Sequence, residues 1–157
     1  MTTVAIKDGL VAVDSQLTGE SRATRVQKLM RLPDGGVVAA AGTWRAAYAA
    51  MIWVVEGEGG DPPELGDVEL VIVRPDHSIW VAENVFPAYP IVLKQYALGS
   101  GADLVHLLMS QGESPVNAVF AACEHDTYSS GPVYSMQASP IDDGLSIHTV
   151  KPAGRKK

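Results

Sequence analysis

The chain has 157 residues, enough for one domain that buries most of its apolar surface without disulfide or metal staples. Hydrophobic residues make up 46% and charged residues 19%, which excludes a disordered chain. The net charge of −6 argues against nucleic acid as a partner, and the single cysteine, Cys123, excludes a disulfide framework and a thiolate metal site.

In chain order, Thr3 to Ile6 and Leu10 to Val13 are β-rich runs joined by Lys7-Asp8-Gly9, a strong hairpin signal. The polar stretch from Asp14 to Thr24 reads as a loop. A second hairpin is predicted from Val26 to Leu32 and Val37 to Ala41, turning at Pro33-Asp34-Gly35-Gly36. Gly42-Thr43 then opens a helix from Trp44 to Val55, whose apolar face is expected to carry Trp44, Tyr48, Met51, Ile52 and Val55. Residues 57–66, rich in Gly and Pro, read as a turn-rich connection inside one domain.

Val68 to Val73 and Ile79 to Ala82 predict a third hairpin, and Glu83 to Pro90 is expected to be irregular. A short strand from Gln95 to Leu98 leads into Gly99-Ser100-Gly101. Helices come next over Ala102 to Ser110 and Pro115 to His125, the second with Ser114 as N-cap and Pro115 in the first helical position. Val133 to Met136 and Leu145 to Val150 complete the strands. Paired strands with helices between them predict helices on the outer faces of stacked antiparallel sheets. A single domain over residues 1–150 is expected, with the basic stretch 151–157 as a solvated tail. No signal-peptide pattern or membrane-length apolar run is visible, which makes a cytoplasmic protein with no membrane partner the expectation.

The chemistry begins at the N-terminus. A Met followed by a small residue is readily trimmed, and trimming here would expose Thr2 with a free α-amine and a hydroxyl on one residue. That combination is a nucleophile with its own base attached. Many chains begin Met-Thr without chemical consequence, so the reading depends on polar residues further along the chain. Asp14 closes the second strand, one hairpin away from Thr2. Lys28 lies in a strand among Val26, Leu29, Met30 and Leu32. A strand lysine ordinarily sits on a solvated face, but buried beside an acid it becomes a fixed positive charge able to lower the pKa of an amine or hydroxyl.

Six segments in order resemble the proteasome β-subunit family, and HslV-type bacterial peptidases in particular. They are Thr2-Thr3-Val4-Ala5-Ile6, Asp14-Ser15, Lys28 before Arg31-Leu32, Ala40-Ala41-Gly42-Thr43, Gly99-Ser100-Gly101, and the stretch from Asp126 to Gly131. The resemblance runs from Thr2 to about Val150. It implies an αββα sandwich of two antiparallel sheets, the N-terminal nucleophile hydrolase fold. It also implies a threonine-type endopeptidase in which Thr2 is the nucleophile and its freed amine the base. Asp14 and Lys28 then match the activating acid and cation, and Gly42 the residue whose N–H faces the oxyanion. Ser100, Asp126 and Ser129 match the cluster around the Thr amine. Val26, Met30, Ala40 and Trp44 fall near the wall of the substrate pocket, which favours an apolar side chain beside the scissile bond, though ordinary core is an equal reading of them. The resemblance further implies a homo-oligomeric ring acting on peptides or unfolded protein, possible assistance by an ATP-dependent unfoldase, and no cofactor.

Two departures stand out. The first hairpin is about four residues shorter than is usual in that family, a change that keeps strand facing if each strand loses an even number. Residues 57–66 replace a second helix, so one helical layer is expected to be reduced. Gly99-Ser100-Gly101 fits neither a Gly-x-Ser-x-Gly elbow nor a dinucleotide loop. Glu124-His125-Asp126 is adjacent on a helix and diverges, while His77, His106 and His148 lack ligand spacing, so no metal is expected. Cys123, in line with Val116, Val119 and Phe120, is expected in the core. A catalytically silent shell subunit that keeps Met1, and an amidase acting on small molecules, remain alternatives.

Overall fold

Asp8 and Gly9 both take positive φ, 50° and 81°, and this reversal folds the N-terminal segment back on itself. The computed structural model describes residues 2–18, 23–126, 129, 131–140 and 144–149. The strands before the first helix are β1 (Thr3–Lys7), β2 (Leu10–Val13), β3 (Gln16–Thr18), β4 (Ala23–Arg25), β5 (Leu29–Arg31) and β6 (Val37–Ala41). Helix α1 (Trp44–Val55) precedes β7 (Glu69–Val73), β8 (Ile79–Glu83), β9 (Val85–Ile91) and β10 (Gln95–Gly99). Helices α2 (Ala102–Ser110) and α3 (Pro115–His125) lead to β11 (Val133–Gln137) and β12 (Ser146–His148).

Two five-stranded sheets form, in the orders β10-β1-β2-β11-β12 and β5-β6-β7-β8-β9, and every pairing in them is antiparallel. Period-two alternation sorts their side chains into layers. Val4, Ile6, Val11 and Val13 of the first sheet meet Val37, Ala39, Val71 and Val81 of the second in the central core. Ala5 and Ala12 face the other way, against Val105, Met109, Val119 and Ala122 of α2 and α3. Val38, Ala40, Leu70 and Ile72 face outward against α1. The layers are therefore two helices, sheet, sheet and one helix: an αββα sandwich with one helical layer reduced to α1. Residues 57–68 between α1 and β7 contain no helix. Each buried Val or Leu in these layers contributes about 1.5–3 kcal/mol.

The three helices have the predicted bounds, but α1 turns a different face inward. Ala47, Ala50, Met51 and Val54 are its buried residues, while Tyr48 is 47% exposed. Alanines let the helix settle close on the strands, so the aromatic residues move to its flank, where the Trp44 and Tyr48 rings lie 5.7 Å apart. Other departures lie in the strands. The expected loop after Asp14 contains the short pair β3-β4, although residues 19–22 lie outside the description. The expected strand from Val26 begins only at Leu29. The expected irregular stretch after Glu83 is β9, an edge strand that tolerates Pro87 and Pro90 because its outer side needs no donors. Residues 150–157, and with them the expected tail, lie outside the described residues. No helix among the described residues is long and apolar enough to cross a membrane.

Candidate active site

Four chain ends of the sandwich converge at one edge: the start of β1, the end of β2, the end of β10 and the start of β11, through the pairings Thr3↔Gly99, Val4↔Val13 and Tyr134↔Val13. Thr2 extends this ladder, since its carbonyl accepts the Ser100 N–H at 2.9 Å. It is buried, with 4% of its surface exposed. Two residues before Val4, it belongs by alternation to the inter-sheet side, whereas Thr3 lies on the helix side with Ala5. With Met1 attached, the nitrogen of Thr2 is an amide and cannot act as a base.

Beneath the strand start is a buried ion pair. Lys28 Nζ lies 3.0 and 3.1 Å from the two carboxylate oxygens of Asp14, and the residues are 1% and 0% exposed. Asp14 also accepts the N–H groups of Thr3, at 2.9 Å, and Gln16, at 3.2 Å. One carboxylate thus ties the backbone next to Thr2 to the buried cation. Lys28 accordingly lies in the interior, not on a solvated face. Burial pushes the Lys28 ammonium below its ordinary pKa, opposed by the Asp14 carboxylate. Burial likewise pushes Asp14 upward, opposed by Lys28 and the two backbone donors.

On the other side, the antiparallel arrangement of α2 and α3 brings the beginning of one helix to the end of the other. Ser100 precedes α2 and Asp126 is the C-cap of α3. The hydroxyl of Ser100 donates to Asp126 Oδ2, and that of Ser129 donates to the same oxygen at 2.7 Å. Ser129 Oγ is in turn 2.7 Å from Thr3 Oγ1, which accepts the Gly101 N–H at 3.2 Å. Thr127, Tyr128 and Ser130 of this segment lie outside the description.

Gly42 closes β6 with φ of 119°, and a β-carbon there would meet the Asp67 carbonyl oxygen and Val68 Cα, each at 2.9 Å. The turn after it is held by Asp67, whose carboxylate accepts the Thr43 N–H at 3.2 Å and its hydroxyl at 3.0 Å. Beside it, Val26, Gln27, Met30, Trp44 and Tyr48 line a pocket of about 400 Å³. Gln27 immediately precedes Lys28 and Trp44 lies two residues past Gly42, which sets the pocket against the same end of the sandwich. Of the four expected wall residues, Val26, Met30 and Trp44 line it; Ala40 is fully buried in the layer on which Met30 and Trp44 pack.

Thr2, Asp14, Lys28, Ser100, Asp126 and Ser129 are thus linked through the backbone and side chains of residues 2 and 3. Thr3, Gly99, Asp67, Gln27 and Tyr48 were assigned no catalytic or substrate-binding role from sequence, although Thr3 and Gly99 fall within the resembling segments and Tyr48 was expected on the apolar face of α1. Gly99 carried a readable signal, a glycine closing a strand, which marks close backbone approach. Cys123 packs half-buried beside the α3 core, its thiol pushed up to about 12 by burial and secondarily by the Asp14 carboxylate. No group of three or more His, Cys, Asp or Glu among the described residues could hold a metal ion.

Architecture and layer order define the N-terminal nucleophile hydrolase fold, a proteasome-like sandwich. Among solved structures, the chain is similar to BPH of Thiobacillus denitrificans in complex with epoxomicin, with 21% identity, a TM-score of 0.62 and coverage of 88% of this chain and 99% of that one. A second structure of the same protein gives 22% identity, a TM-score of 0.58 and coverage of 89% and 99%. Anbu, as a Gly-1 mutant from Hyphomicrobium sp. strain MC1, gives 9% identity, a TM-score of 0.71 and coverage of 94% and 86%. No family model matches the chain, and no curated protein matches it in sequence. These findings overturn the identification as a proteasome β-subunit or HslV-type peptidase. The solved structures described above are of BPH and Anbu, and no sequence or family-model match supports an HslV-type peptidase.

Proposed function

We propose that the chain is a threonine-type peptidase whose nucleophile is Thr2, active once Met1 is removed. The observation that carries this reading is the junction at Thr3. Its N–H is bonded to the carboxylate that holds buried Lys28, and its hydroxyl is bonded to the Asp126–Ser129 pair, so both polar groups flank the residue before it. In the proposed reaction the free amine takes the hydroxyl proton as Thr2 Oγ attacks a peptide carbonyl carbon. The oxyanion forms on the Gly42 side. The amine passes its proton to the departing amine, the C–N bond breaks and an ester on Thr2 remains. Water, deprotonated by the same amine, then hydrolyses the ester and restores the hydroxyl. The Lys28 charge, fixed by Asp14, favours the neutral amine and the attacking oxygen.

The substrates on this reading are peptides or unfolded proteins. A homo-oligomeric ring and an ATP-dependent unfoldase belong to the same proposal; such a ring would cover apolar side chains left open on the outer helical layers, Tyr48 at 47% and Leu107 at 54% exposure. A second reading, a silent shell subunit, draws on the burial of Thr2, which is 4% exposed. Intact mass before and after incubation with epoxomicin, the compound bound by the Thiobacillus protein, separates the two. Peptide epoxyketones react with a hydroxyl and an amine on one residue. Loss of Met1 and a single adduct, absent in Thr2→Ala, is the expected result. Met1 retained with no adduct would sink the peptidase reading.

A further inference from the structure

The hydroxyls around Asp126 can be oriented by counting protons. A serine or threonine hydroxyl has one proton to donate and lone pairs to accept with, and an ionised carboxylate only accepts. Ser129 spends its proton on Asp126 Oδ2 at 2.7 Å. The 2.7 Å contact between Ser129 Oγ and Thr3 Oγ1 must then be filled by the Thr3 proton. Thr3 keeps that proton for Ser129 because in its other bond, from the Gly101 N–H at 3.2 Å, its oxygen accepts. The chain therefore runs one way, from Gly101 N–H to Thr3 O–H to Ser129 O–H to the Asp126 carboxylate. Ser100 donates to the same carboxylate oxygen, so its oxygen also has only lone pairs to offer.

We propose that Thr3 is a positioning residue for the chemistry at Thr2: its buried hydroxyl fixes the direction of this chain, so that a freed Thr2 amine turning toward Ser129 or Ser100 would meet oxygens that can only accept. An amine that donated its N–H groups to these oxygens would keep its lone pair for the Thr2 hydroxyl proton. Without the Thr3 hydroxyl, Ser129 is free to turn and donate to that lone pair. The blocked amine would be a poorer base, and its neutral form would be stabilised. This inference rests on the reading of Thr2 as nucleophile. It adds a role for a residue that is fully buried, belongs to β1 and would otherwise count as strand packing.

The test is the kinetics of epoxomicin adduct formation, measured by intact mass from pH 5 to 9, on the full-length wild type, Thr3→Val, Thr3→Ala and Thr3→Ser. The maximal inactivation rate should fall about 10–100-fold in Thr3→Val or Thr3→Ala, whichever keeps the wild-type circular dichroism spectrum, with half-saturating epoxomicin changed less than about twofold. The acid limb of the rate profile should move to lower pH in the same variant. Thr3→Ser keeps a proton to donate and should stay within about threefold of wild type. Equal rates and profiles in wild type and a folded hydroxyl-less variant would overturn the inference while leaving Thr2 as nucleophile. So would a folded Thr3→Ser as slow as the deletions. Absence of any adduct on the wild type would overturn the reading of Thr2 and this inference with it.

Discussion

Gly99 approaches Thr2 so closely that a β-carbon built on it would lie 1.6 Å from the Thr2 carbonyl oxygen. Its φ of 94° is also one that side chains rarely adopt. The contact arises from the Thr3↔Gly99 pairing together with the Ser100 N–H bond to the same carbonyl. Gly99→Ala should therefore push the start of β1 out of place. The expected cost is about 2–5 kcal/mol, from the left-handed backbone and the overpacking together. Epoxomicin labelling should fall at least about tenfold, because displaced reacting groups lose their alignment. Urea unfolding and adduct kinetics check both; wild-type values in each would show that the close approach constrains nothing.

The buried pair makes a separable prediction. Lys28→Met leaves the Asp14 carboxylate in the interior without its cation, at a cost of about 3–5 kcal/mol. Adding Asp14→Asn removes the stranded charge, so the double variant should regain most of the lost stability. It should not regain reactivity, since no cation is left beside the amine and hydroxyl. Chemical denaturation and epoxomicin labelling of the single and double variants measure the two effects independently. A double variant with the wild-type labelling rate would remove Lys28 from the chemistry.

Cys123 sits within electrostatic reach of this pair yet should be inert. With its thiol pushed up to about 12, only about one molecule in 10⁴ is a thiolate at pH 8. Native protein should react with a disulfide reagent far more slowly than urea-unfolded protein. The same shift fixes the sign of the stability effect. The folded pKa is raised above the unfolded value of about 8.5, so the contribution is complete below that pH and is lost as pH climbs toward the folded value. Urea midpoints should fall between pH 8 and pH 10 in the wild type and fall less in Cys123→Ala. Rapid native labelling, or identical pH slopes, would contradict the buried thiol.

The parts of this architecture that could be read from the residues are those with local causes. Ser114 and Pro115 announce α3, and Asp8-Gly9 announces the first hairpin, because caps and left-handed turns are chemically specific. The inward face of α1 was not readable, because how close a helix sits depends on the sheet beneath it, and there Ala47 and Ala50 prevail over Trp44 and Tyr48. β9 was hidden by Pro87 and Pro90, whose tolerance depends on the strand lying at an edge, a property of topology. The same division holds at the site. Thr2, Asp14 and Lys28 were legible as chemical types, and Lys28 was ambiguous only until its burial was known. Thr3 and Asp67 act through contacts to Ser129 and Thr43, 126 and 24 positions away, and no local pattern signals such partners.

The pocket beside Gly42 sets the selectivity expected of a peptidase built on this site. Val26, Gln27, Met30, Trp44 and Tyr48 bring no formal charge to it, and Gln27 spends its amide N–H₂ on the Leu29 carbonyl at 3.0 Å. An apolar side chain entering it sheds water against Met30 and Trp44, whereas a carboxylate or ammonium would lose hydration without gaining a counter-charge. Peptides with Leu or Phe before the cut should be turned over about 10–100-fold more efficiently than those with Asp or Lys there. Met30→Lys places a cation at the wall and should move the preference toward Asp and Glu, while the unfolding midpoint changes little because Met30 is only partly buried. Mass-spectrometric analysis of cleavage sites in a mixed peptide library, for wild type and Met30→Lys, decides the matter. A wild-type preference for charged residues, or an unaltered preference in the variant, would place the selecting pocket elsewhere on the molecule.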